Sequence, residues 1–181
     1  MNKVMKEMIN TLLYLLGVLC LTWFVIAFVG QRTQVDGSSM EPMLSDGDNL
    51  IVDKITYRFK DPERFDIIVF PFKLEEETYY IKRIIGLPGE TVQIDEQGNI
   101  YIDGQVLAEG YGREIIRPDT VGIARNPIVL GEDEYFVMGD NRNSSMDSRY
   151  EIVGNVHRED IIGRAWLRIW PFSRFGFLKH Q

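Results

Sequence analysis

The chain divides into two parts by its pattern of apolar and polar positions. Residues 11–29 form an unbroken apolar run of 19 residues without a charged side chain. At about 1.5 Å per residue a helix of that length spans roughly 28 Å, close to the ~30 Å hydrocarbon core of a bilayer. From about residue 35, short apolar runs alternate with turn compositions. This pattern predicts a transmembrane helix over 11–30 and a second domain over 31–181.

The charges that flank the apolar run predict how it would sit in a membrane. Lys3 and Lys6 precede the run, partly offset by Glu7, and Arg32 follows it. The positive-inside rule then places residues 1–10 in the cytoplasm as a short tail and the rest of the chain outside the cell. A cleavable signal peptide is disfavoured because its apolar region is shorter and a small-residue cleavage site would follow. A buried core helix is the other alternative.

Residues beyond the apolar run predict an all-β domain. Runs rich in β-branched and aromatic residues are bounded by compositions such as SDGD, GLPGE and EQGN, which are typical of turns. A hairpin is expected across Gln97-Gly98, a turn over 158–162, and a loop-rich excursion over 103–130. Short strands of this kind pack as an antiparallel barrel or sandwich. The predicted strands are 49–55, 66–70, 78–85, 91–94, 99–104, 134–139 and 163–171.

Charge and cysteine content narrow the function classes. The net charge of −7 and the lack of a basic stripe argue against a nucleic-acid partner. The single cysteine, Cys20, lies in the apolar run, so an intrachain disulfide is impossible. Neither a Cys/His metal cluster nor a phosphate-binding glycine motif is present, so we expect no metal and no cofactor. The two histidines, His157 and His180, lie in a plain polar stretch and beside the C-terminus, which disfavours a Ser-His-Asp triad.

A serine ten residues past the apolar run is the first candidate for chemistry. Ser39 lies in the sequence Gly-Ser-Ser-Met-Glu-Pro, residues 37–42. A serine in a turn flanked by glycine and proline can present its Oγ free of regular strand pairing. The same composition also suits an ordinary polar linker.

The predicted strand at 78–85 carries two adjacent cations, Lys82 and Arg83. Alternate residues of a strand share a face, so Lys82 lies with Tyr80 and Ile84, and one cation must point toward an apolar face. A lysine can be buried because it can lose its proton, whereas an arginine effectively cannot. A neutral amine near a serine can act as a general base. The alternative is an edge strand with two solvated cations.

A polar loop at 139–149 contains two acids and two arginines within eleven residues. Bidentate pairs between them would hold the loop in a fixed shape. Its serines could hydrogen-bond a buried lysine amine and orient it. A solvated loop is one alternative; a calcium site is disfavoured because Asp140, Asn141 and Asp147 lack the usual ligand spacing.

Taken together, these segments resemble bacterial type I signal peptidases over nearly the whole chain and in the same order. After the apolar span, Ser-Met-Glu-Pro at 39–42 resembles the S-M-x-P box. Residues 47–54 resemble the strand that follows it. The R-G-D-I-V-V-F box, the K-R box and the G-D-N-R-D-N-S-x-D-S-R box have counterparts at 64–70, 80–89 and 139–149.

The resemblance implies a membrane-bound serine endopeptidase that cleaves signal peptides from secreted preproteins with small residues at −1 and −3. Ser39 would be the nucleophile, with its backbone N–H in the oxyanion hole, and Lys82 the general base. Ser145 matches the serine that hydrogen-bonds the lysine, with Ser144 as a rival. The family also implies a membrane-lipid surface, and we expect a monomer. The residues expected to brace the site are Asp140, Arg142, Asp147 and Arg149. Candidates for the lipid surface, with core packing as the alternative for the aromatics, are Met40, Trp166, Trp170, Phe172, Phe175 and Phe177.

The sequence departs from the family pattern at three places. Gly37 stands where some relatives carry a serine that assists the oxyanion hole. Phe65 replaces the glycine of R-G-D, and Asn143-Ser144 replaces Asp-Asn. The single span and the short excursion resemble members from Gram-positive bacteria.

Two other function classes stay open at this point. Self-cleaving repressors also use a serine and a lysine, but they need a DNA-binding module, which the acidic balance and the span disfavour. A membrane-tethered β domain that binds partners without catalysis is the non-enzymatic alternative. A peptidase dedicated to a few preproteins would be a narrower form of the signal-peptidase interpretation.

Overall fold

The computed structural model describes residues 3–24 and 30–178. Its one long helix, α1 (Lys3–Phe24), has 22 residues and is long and apolar enough to cross a membrane. None of these residues is buried, which contradicts the buried-core-helix alternative. The helix begins upstream of the predicted segment because helical backbone continues through the polar residues that flank the apolar run. Residues 25–29 of that segment lie outside the described residues, and Gly30 already belongs to a strand.

Antiparallel strands make up the rest of the fold, so the expectation of a mainly β chain with one N-terminal apolar helix is confirmed. Each of the seven predicted strands is present, with ends shifted by at most a few residues. The strands are β1 (Gly30–Gln34), β2 (Asn49–Asp53), β3 (Ile67–Pro71), β4 (Tyr79–Gly86), β5 (Thr91–Ile94), β6 (Ile100–Ile102), β7 (Gln105–Val106), β8 (Ile128–Val129), β9 (Glu134–Met138), β10 (Val156–His157), β11 (Gly163–Trp170) and β12 (Gly176–Phe177).

The strands that the pattern did not predict are very short or polar. β7, β8, β10 and β12 have two residues each, too few to show a period of two. β1 reads Gly-Gln-Arg-Thr-Gln and has no apolar alternation; it is held by backbone pairing with β2. Between the strands, the described helical segments after Gly30 are short 3-10 turns, including the expected one at Arg158–Asp160.

Two sheets share the hydrophobic core. The large sheet has the order β1-β2-β11-β3-β4-β9-β10, with β12 paired to β11, and the small sheet has the order β7-β6-β5-β8. The β5–β6 pair is the hairpin expected across Gln97-Gly98. One core cluster joins Ile85 and Phe136 of the large sheet to Val92 and Ile102 of the small sheet. Apolar packing between the two sheets therefore fixes their mutual position.

The order of strands brings the three candidate segments together. β4 is an interior strand, paired with β3 over Tyr79–Arg83 and with β9 from Arg83 to Gly86, so the edge-strand alternative is wrong. β9 ends at Met138 and leads directly into the loop at 139–149. β1 ends at Gln34 and leads into the turn that carries Ser39.

Candidate active site

The turn that carries Ser39 is fixed by burial of the residues that follow it. Met40 and Leu44 pack in the core beneath the large sheet, and the Leu44 N–H donates to the Met40 carbonyl at 2.9 Å. Gly37 adopts a φ of 84°, a left-handed conformation that a glycine accepts without strain. Because Met40 is buried, its expected place on a lipid surface is wrong.

Lys82 meets Ser39 across the sheet. Its Nζ lies 2.8 Å from Ser39 Oγ and also donates to the Ile81 carbonyl at 3.1 Å. The Tyr80 ring centroid is 4.9 Å from Nζ, as expected for residues on one face of a strand. The side chain is only 4% exposed. Burial lowers the pKa of Lys82 from 10.5 to about 8, against the opposing influence of Asp147 and Asp140.

Both adjacent cations are buried, so Arg83 as well as Lys82 lies away from solvent. Arg83 stays inside because its guanidinium is paired: Nε and Nη2 donate to Asp140 at 2.8 and 2.7 Å. Its Nη1 donates to the Phe65 carbonyl at 2.9 Å. A bidentate pair of this kind offsets much of the desolvation cost of a buried arginine. Asp140 therefore pairs with β4 rather than with an arginine of its own loop.

The loop at 139–149 holds both its own shape and the Ser39 turn. Arg149 forms a bidentate pair with Asp147 at 2.8 and 2.9 Å, and Asp147 accepts the Gly139 N–H at 3.0 Å. The Asn141 N–H donates to the Ser39 carbonyl at 3.0 Å, and its Nδ2 donates to the Ser38 carbonyl at 3.1 Å. Asn141 thus links loop and turn. Arginines occupy both carboxylates, which argues against the calcium alternative.

The two serines expected to compete for Lys82 differ in burial. Ser144 is exposed, whereas Ser145 is buried beside Gly139. Ser145 Oγ has no hydrogen-bond partner in the part of the chain that the structure describes. The predicted bond from Ser145 to the lysine amine is not formed here and stays a prediction; burial beside the Ser39 turn favours Ser145 over Ser144.

The excursion at 103–130 supplies contacts that sequence reasoning missed. Glu109 Oε1 lies 2.7 Å from Arg142 Nη1, and the Arg83 guanidinium carbon lies 3.7 Å from the Tyr111 ring centroid. The Arg113 N–H donates to the Asp140 carbonyl at 2.8 Å. The excursion therefore packs over the paired residues and closes them from solvent. Single charged residues in an irregular segment gave no periodic signal to find them by.

Phe65, which replaces a family glycine, has a physical explanation in the structure. Its φ is 73°, the left-handed region in which a glycine is favoured and another residue costs about 1–2 kcal/mol. Its ring lies 5.0 Å from that of Tyr111, between centroids, and packs against the core cluster shared by the two sheets. This packing offsets the backbone cost.

Gly139 permits the close approach of loop and turn, which gives the first prediction. A Cβ there would lie 2.3 Å from Ser145 Oγ and 2.4 Å from the Ser39 carbonyl oxygen. We expect Gly139→Ala to displace Ser39 from Lys82 and to lower the kcat/KM of any reaction at this pair at least a hundredfold, as small misplacements of reacting groups do. Gly110→Ala is the matched control, since a Cβ there meets nothing within 4 Å. Equal activity of the two variants would contradict this.

A cleft of about 220 Å³ opens beside Ser39 and Lys82. One wall is formed by residues 33–36 at the end of β1, and the other by residues 79–82 of β4. β9 pairs with β4 only from Arg83 onward, so in the described residues the backbone of 79–82 has a strand on one side only. Met146 also lines the cleft.

The histidines lie apart from these contacts. His157 Nδ1 lies 3.2 Å from Asp133 Oδ2 on the exposed end of β10. His180 lies outside the described residues. The site that the structure assembles therefore consists of Ser39 and the buried amine of Lys82. Two carboxylates, Asp140 and Asp147, are paired with arginines and lie around it.

Comparisons with known proteins identify the family of the chain. A family profile described as signal peptidase, peptidase S26, matches residues 6–170. A probable signal peptidase I-2 of Synechocystis sp. is 40% identical over 178 residues, 96% of this chain and 75% of that protein. Signal peptidase I P of Bacillus subtilis subsp. natto is 35% identical over 180 residues, 96% of this chain and 95% of that protein. A crystal structure of a signal peptidase I from Enterococcus faecalis V583 is 36% identical and covers 58% of this chain and 97% of that chain, with a TM-score of 0.47. The profile match and the Synechocystis relative show that the chain belongs to the signal peptidase family, peptidase S26.

Proposed function

We propose that this protein is a membrane-bound serine endopeptidase that cleaves signal peptides from preproteins, with Ser39 as nucleophile and Lys82 as general base. The observation that carries the proposal is the distance of 2.8 Å between Lys82 Nζ and Ser39 Oγ, together with the burial of the lysine side chain. A base must lie within hydrogen-bond reach of the proton that it takes and have a pKa near the working pH. Lys82 fits both requirements.

The reaction runs through an acyl-enzyme. Neutral Lys82 accepts the proton of the Ser39 hydroxyl while Oγ attacks the scissile carbonyl. The Ser39 backbone N–H donates to the resulting oxyanion. Protonated Lys82 returns its proton to the amine of the leaving mature chain. It then takes a proton from water as the water oxygen attacks the ester carbonyl. When the bond between the acyl carbon and Ser39 Oγ breaks, Lys82 returns this proton to Oγ and Ser39 is free again.

The cleft supports a peptide substrate in extended form. A strand laid between residues 33–36 and 79–82 could pair its backbone with the free side of 79–82. Alternate residues of that strand point the same way, so the side chains at −1 and −3 would face one wall. A cleft of about 220 Å³ is narrow for an extended peptide, which favours small side chains at these positions.

Membrane attachment follows from the apolar helix. We propose a single-pass protein in the cell membrane, with residues 1–10 cytoplasmic, 11–30 spanning, and 31–181 extracytoplasmic and monomeric. Enzyme and preprotein would then meet in one bilayer at raised effective concentration. The aromatics at the C-terminal end are exposed rather than packed in the core, which supports lipid contact there: Trp166, Trp170, Phe172, Phe175 and Phe177.

Removing the serine tests the function directly. The full chain in detergent is given a peptide with alanine at −1 and −3, and products are identified by mass spectrometry. We expect cleavage by the unmodified protein and by Ser38→Ala, an exposed neighbour, and loss of at least a thousandfold in Ser39→Ala. A serine-directed acylating inhibitor should label Ser39 alone. Uncleaved peptide with the unmodified protein would favour the non-enzymatic alternative.

The lysine base also predicts a pH profile. The pKa of Lys82 is lowered by burial to about 8, so the amine is protonated and inactive below that pH and neutral above it. We expect kcat/KM to rise about tenfold per pH unit up to roughly pH 8 and then to level off. The measurement is a pH-rate profile of peptide cleavage from about pH 5 to about pH 10, a range that brackets this pKa. An acid limb near pH 4 would instead indicate a carboxylate base.

A further inference from the structure

The loop after β2, residues 54–60, returns to the point where the chain leaves the apolar span. Gly30 follows the last apolar residue of that span and begins β1. β2 runs antiparallel to β1, and Gly30 pairs with Asp53, the last residue of β2. The chain therefore runs out along β1 and back along β2. The register delivers residues 54–60 to the level of Gly30.

The composition of this loop is opposite to that of the whole chain. It reads Lys-Ile-Thr-Tyr-Arg-Phe-Lys, with three cations and no acid, in a protein of net charge −7. Arg58, Phe59 and Lys60 are exposed. Phe59 is 81% exposed, more than any other large hydrophobic side chain in the described part of the chain. Cations around an exposed aromatic are what a surface needs to contact anionic headgroups and the acyl boundary beneath them.

Hydrogen bonds to the rest of the domain fix the backbone of the loop, so Phe59 is held in a defined position. Asp53 Oδ1 accepts the N–H groups of Ile55 and Thr56 at 2.9 and 3.1 Å. The Tyr57 hydroxyl donates to buried Asp66 at 2.7 Å. Arg158 Nη2 donates to the carbonyl of Tyr57.

The acidic residues that follow the loop are Asp61, Glu63 and Asp66; the first two are exposed and Asp66 is buried. Asp61 Oδ1 lies 3.7 Å from Arg158 Nε, and Asp66 is buried against Tyr57 and Arg164. Glu63 is exposed, and its N–H donates to Asp66 at 3.1 Å. Residues 54–60 themselves carry three cations and no acid, so this segment is net positive.

We propose that residues 54–60 dock on anionic phospholipid beside the membrane anchor, with Lys54, Arg58 and Lys60 on the headgroups and Phe59 in the interface. This rests on the membrane anchoring in the proposed function, and it adds a second contact that would fix the tilt of the catalytic domain. Each cation near an anionic surface strengthens binding about fivefold, and salt weakens it.

The exposed aromatics of β11 and its C-terminal end form a different surface. Trp170 pairs with Asn49, at the opposite end of β2 from Asp53. A bilayer reached through Trp170 and Phe172 alone would leave the loop in water. The experiment therefore reads both places.

The test uses the full chain in lipid nanodiscs with an environment-sensitive fluorophore on one cysteine. In a Cys20→Ser background, Phe59→Cys carries the label, and Phe172→Cys and the exposed Ile115→Cys serve as comparison sites. Nanodiscs contain phosphatidylcholine alone or with phosphatidylglycerol. Brominated lipids report contact by quenching.

We expect a blue shift and quenching of the fluorophore at position 59 in discs that contain phosphatidylglycerol. The quenching should be at least fivefold weaker in discs of phosphatidylcholine alone or at high salt. The triple change Lys54→Gln, Arg58→Gln, Lys60→Gln should remove the effect. The control triple, Lys73→Gln, Arg117→Gln, Arg125→Gln, removes three exposed cations elsewhere and should preserve it.

No quenching at position 59, equal quenching in both lipids, or quenching at position 172 only would overturn the proposal. So would a triple glutamine variant that keeps the effect. Peptide cleavage in detergent, measured on the same protein preparations before they enter nanodiscs, separates this proposal from the proposed function. Failure of cleavage would refute the peptidase while the lipid result stood, and the reverse outcome would refute the docking alone.

Discussion

Lys82→Arg is expected to abolish peptide cleavage, lowering kcat/KM by a thousandfold or more. In the proposed mechanism the lysine amine serves as a base because it can lose its proton, and burial brings the pKa of Lys82 to about 8. An arginine keeps its charge at every pH a protein survives, so it cannot accept the Ser39 proton. General bases contribute about 10²–10⁴-fold, and here the same group also activates water. The measurement is cleavage of the alanine-containing peptide by the full chain in detergent.

Two further variants separate lost chemistry from lost structure. Lys82→Met removes the amine without adding charge and should be equally inactive while its thermal unfolding stays close to that of the unmodified protein. Lys73→Arg is the matched control, since Lys73 is exposed and paired with Asp160 at 2.8 Å. Activity of Lys82→Arg within tenfold of the control would rule out Lys82 as the proton acceptor.

The two central residues of the site, Ser39 and Lys82, could be predicted from short sequence motifs. The family resemblance implies Ser39 as nucleophile and Lys82 as general base, and the structure brings the two side chains within hydrogen-bond distance. The strands around them were predicted because an alternating pattern of several residues marks the buried face. β1 was missed because its pairing depends on backbone groups, which leave no mark on side-chain pattern.

What the sequence could not predict are contacts between segments far apart in the chain. The burial of Arg83 is one of these, since its partner Asp140 lies 57 positions away. Once paired, an arginine can be buried with its charge, so the general rule on burying lysine rather than arginine failed at this position. Glu109 was missed for the same reason, because its partner is in another loop.

Glu109→Ala is expected to destabilise the protein strongly and to lower activity as a consequence. Arg142 is 2% exposed, and Glu109 is its charge partner because Glu109 Oε1 lies 2.7 Å from Arg142 Nη1. Arg142 Nη2 has no hydrogen-bond partner in the described residues. Breaking a buried pair by removing one member costs about 3–5 kcal/mol. For a chain of this size that lowers Tm by on the order of 10 °C. Glu114→Ala, an exposed glutamate in the same excursion, should leave Tm within 2 °C, roughly the scatter of surface changes.

The effect should reach catalysis because Arg142 holds the loop beside the nucleophile. Its Nε donates to the Gly139 carbonyl at 3.0 Å, and Gly139 packs against Ser39 and Ser145. Burial alone would raise the pKa of Glu109, but Arg142 and two backbone N–H groups hold it below its usual value. The pair therefore stabilises the fold at neutral pH, and this contribution is lost as pH falls through that lowered pKa.

A double variant distinguishes the cost of an unpaired charge from the loss of a contact. Replacing both residues, Glu109→Met with Arg142→Met, removes the buried charge and should recover most of the stability that Glu109→Ala loses. Activity should recover less than Tm, because methionine cannot donate to the Gly139 carbonyl. Full recovery of kcat/KM together with Tm would show that Arg142 serves the fold alone. Unchanged Tm in Glu109→Ala would show that the arginine finds water or another acceptor when its partner is removed.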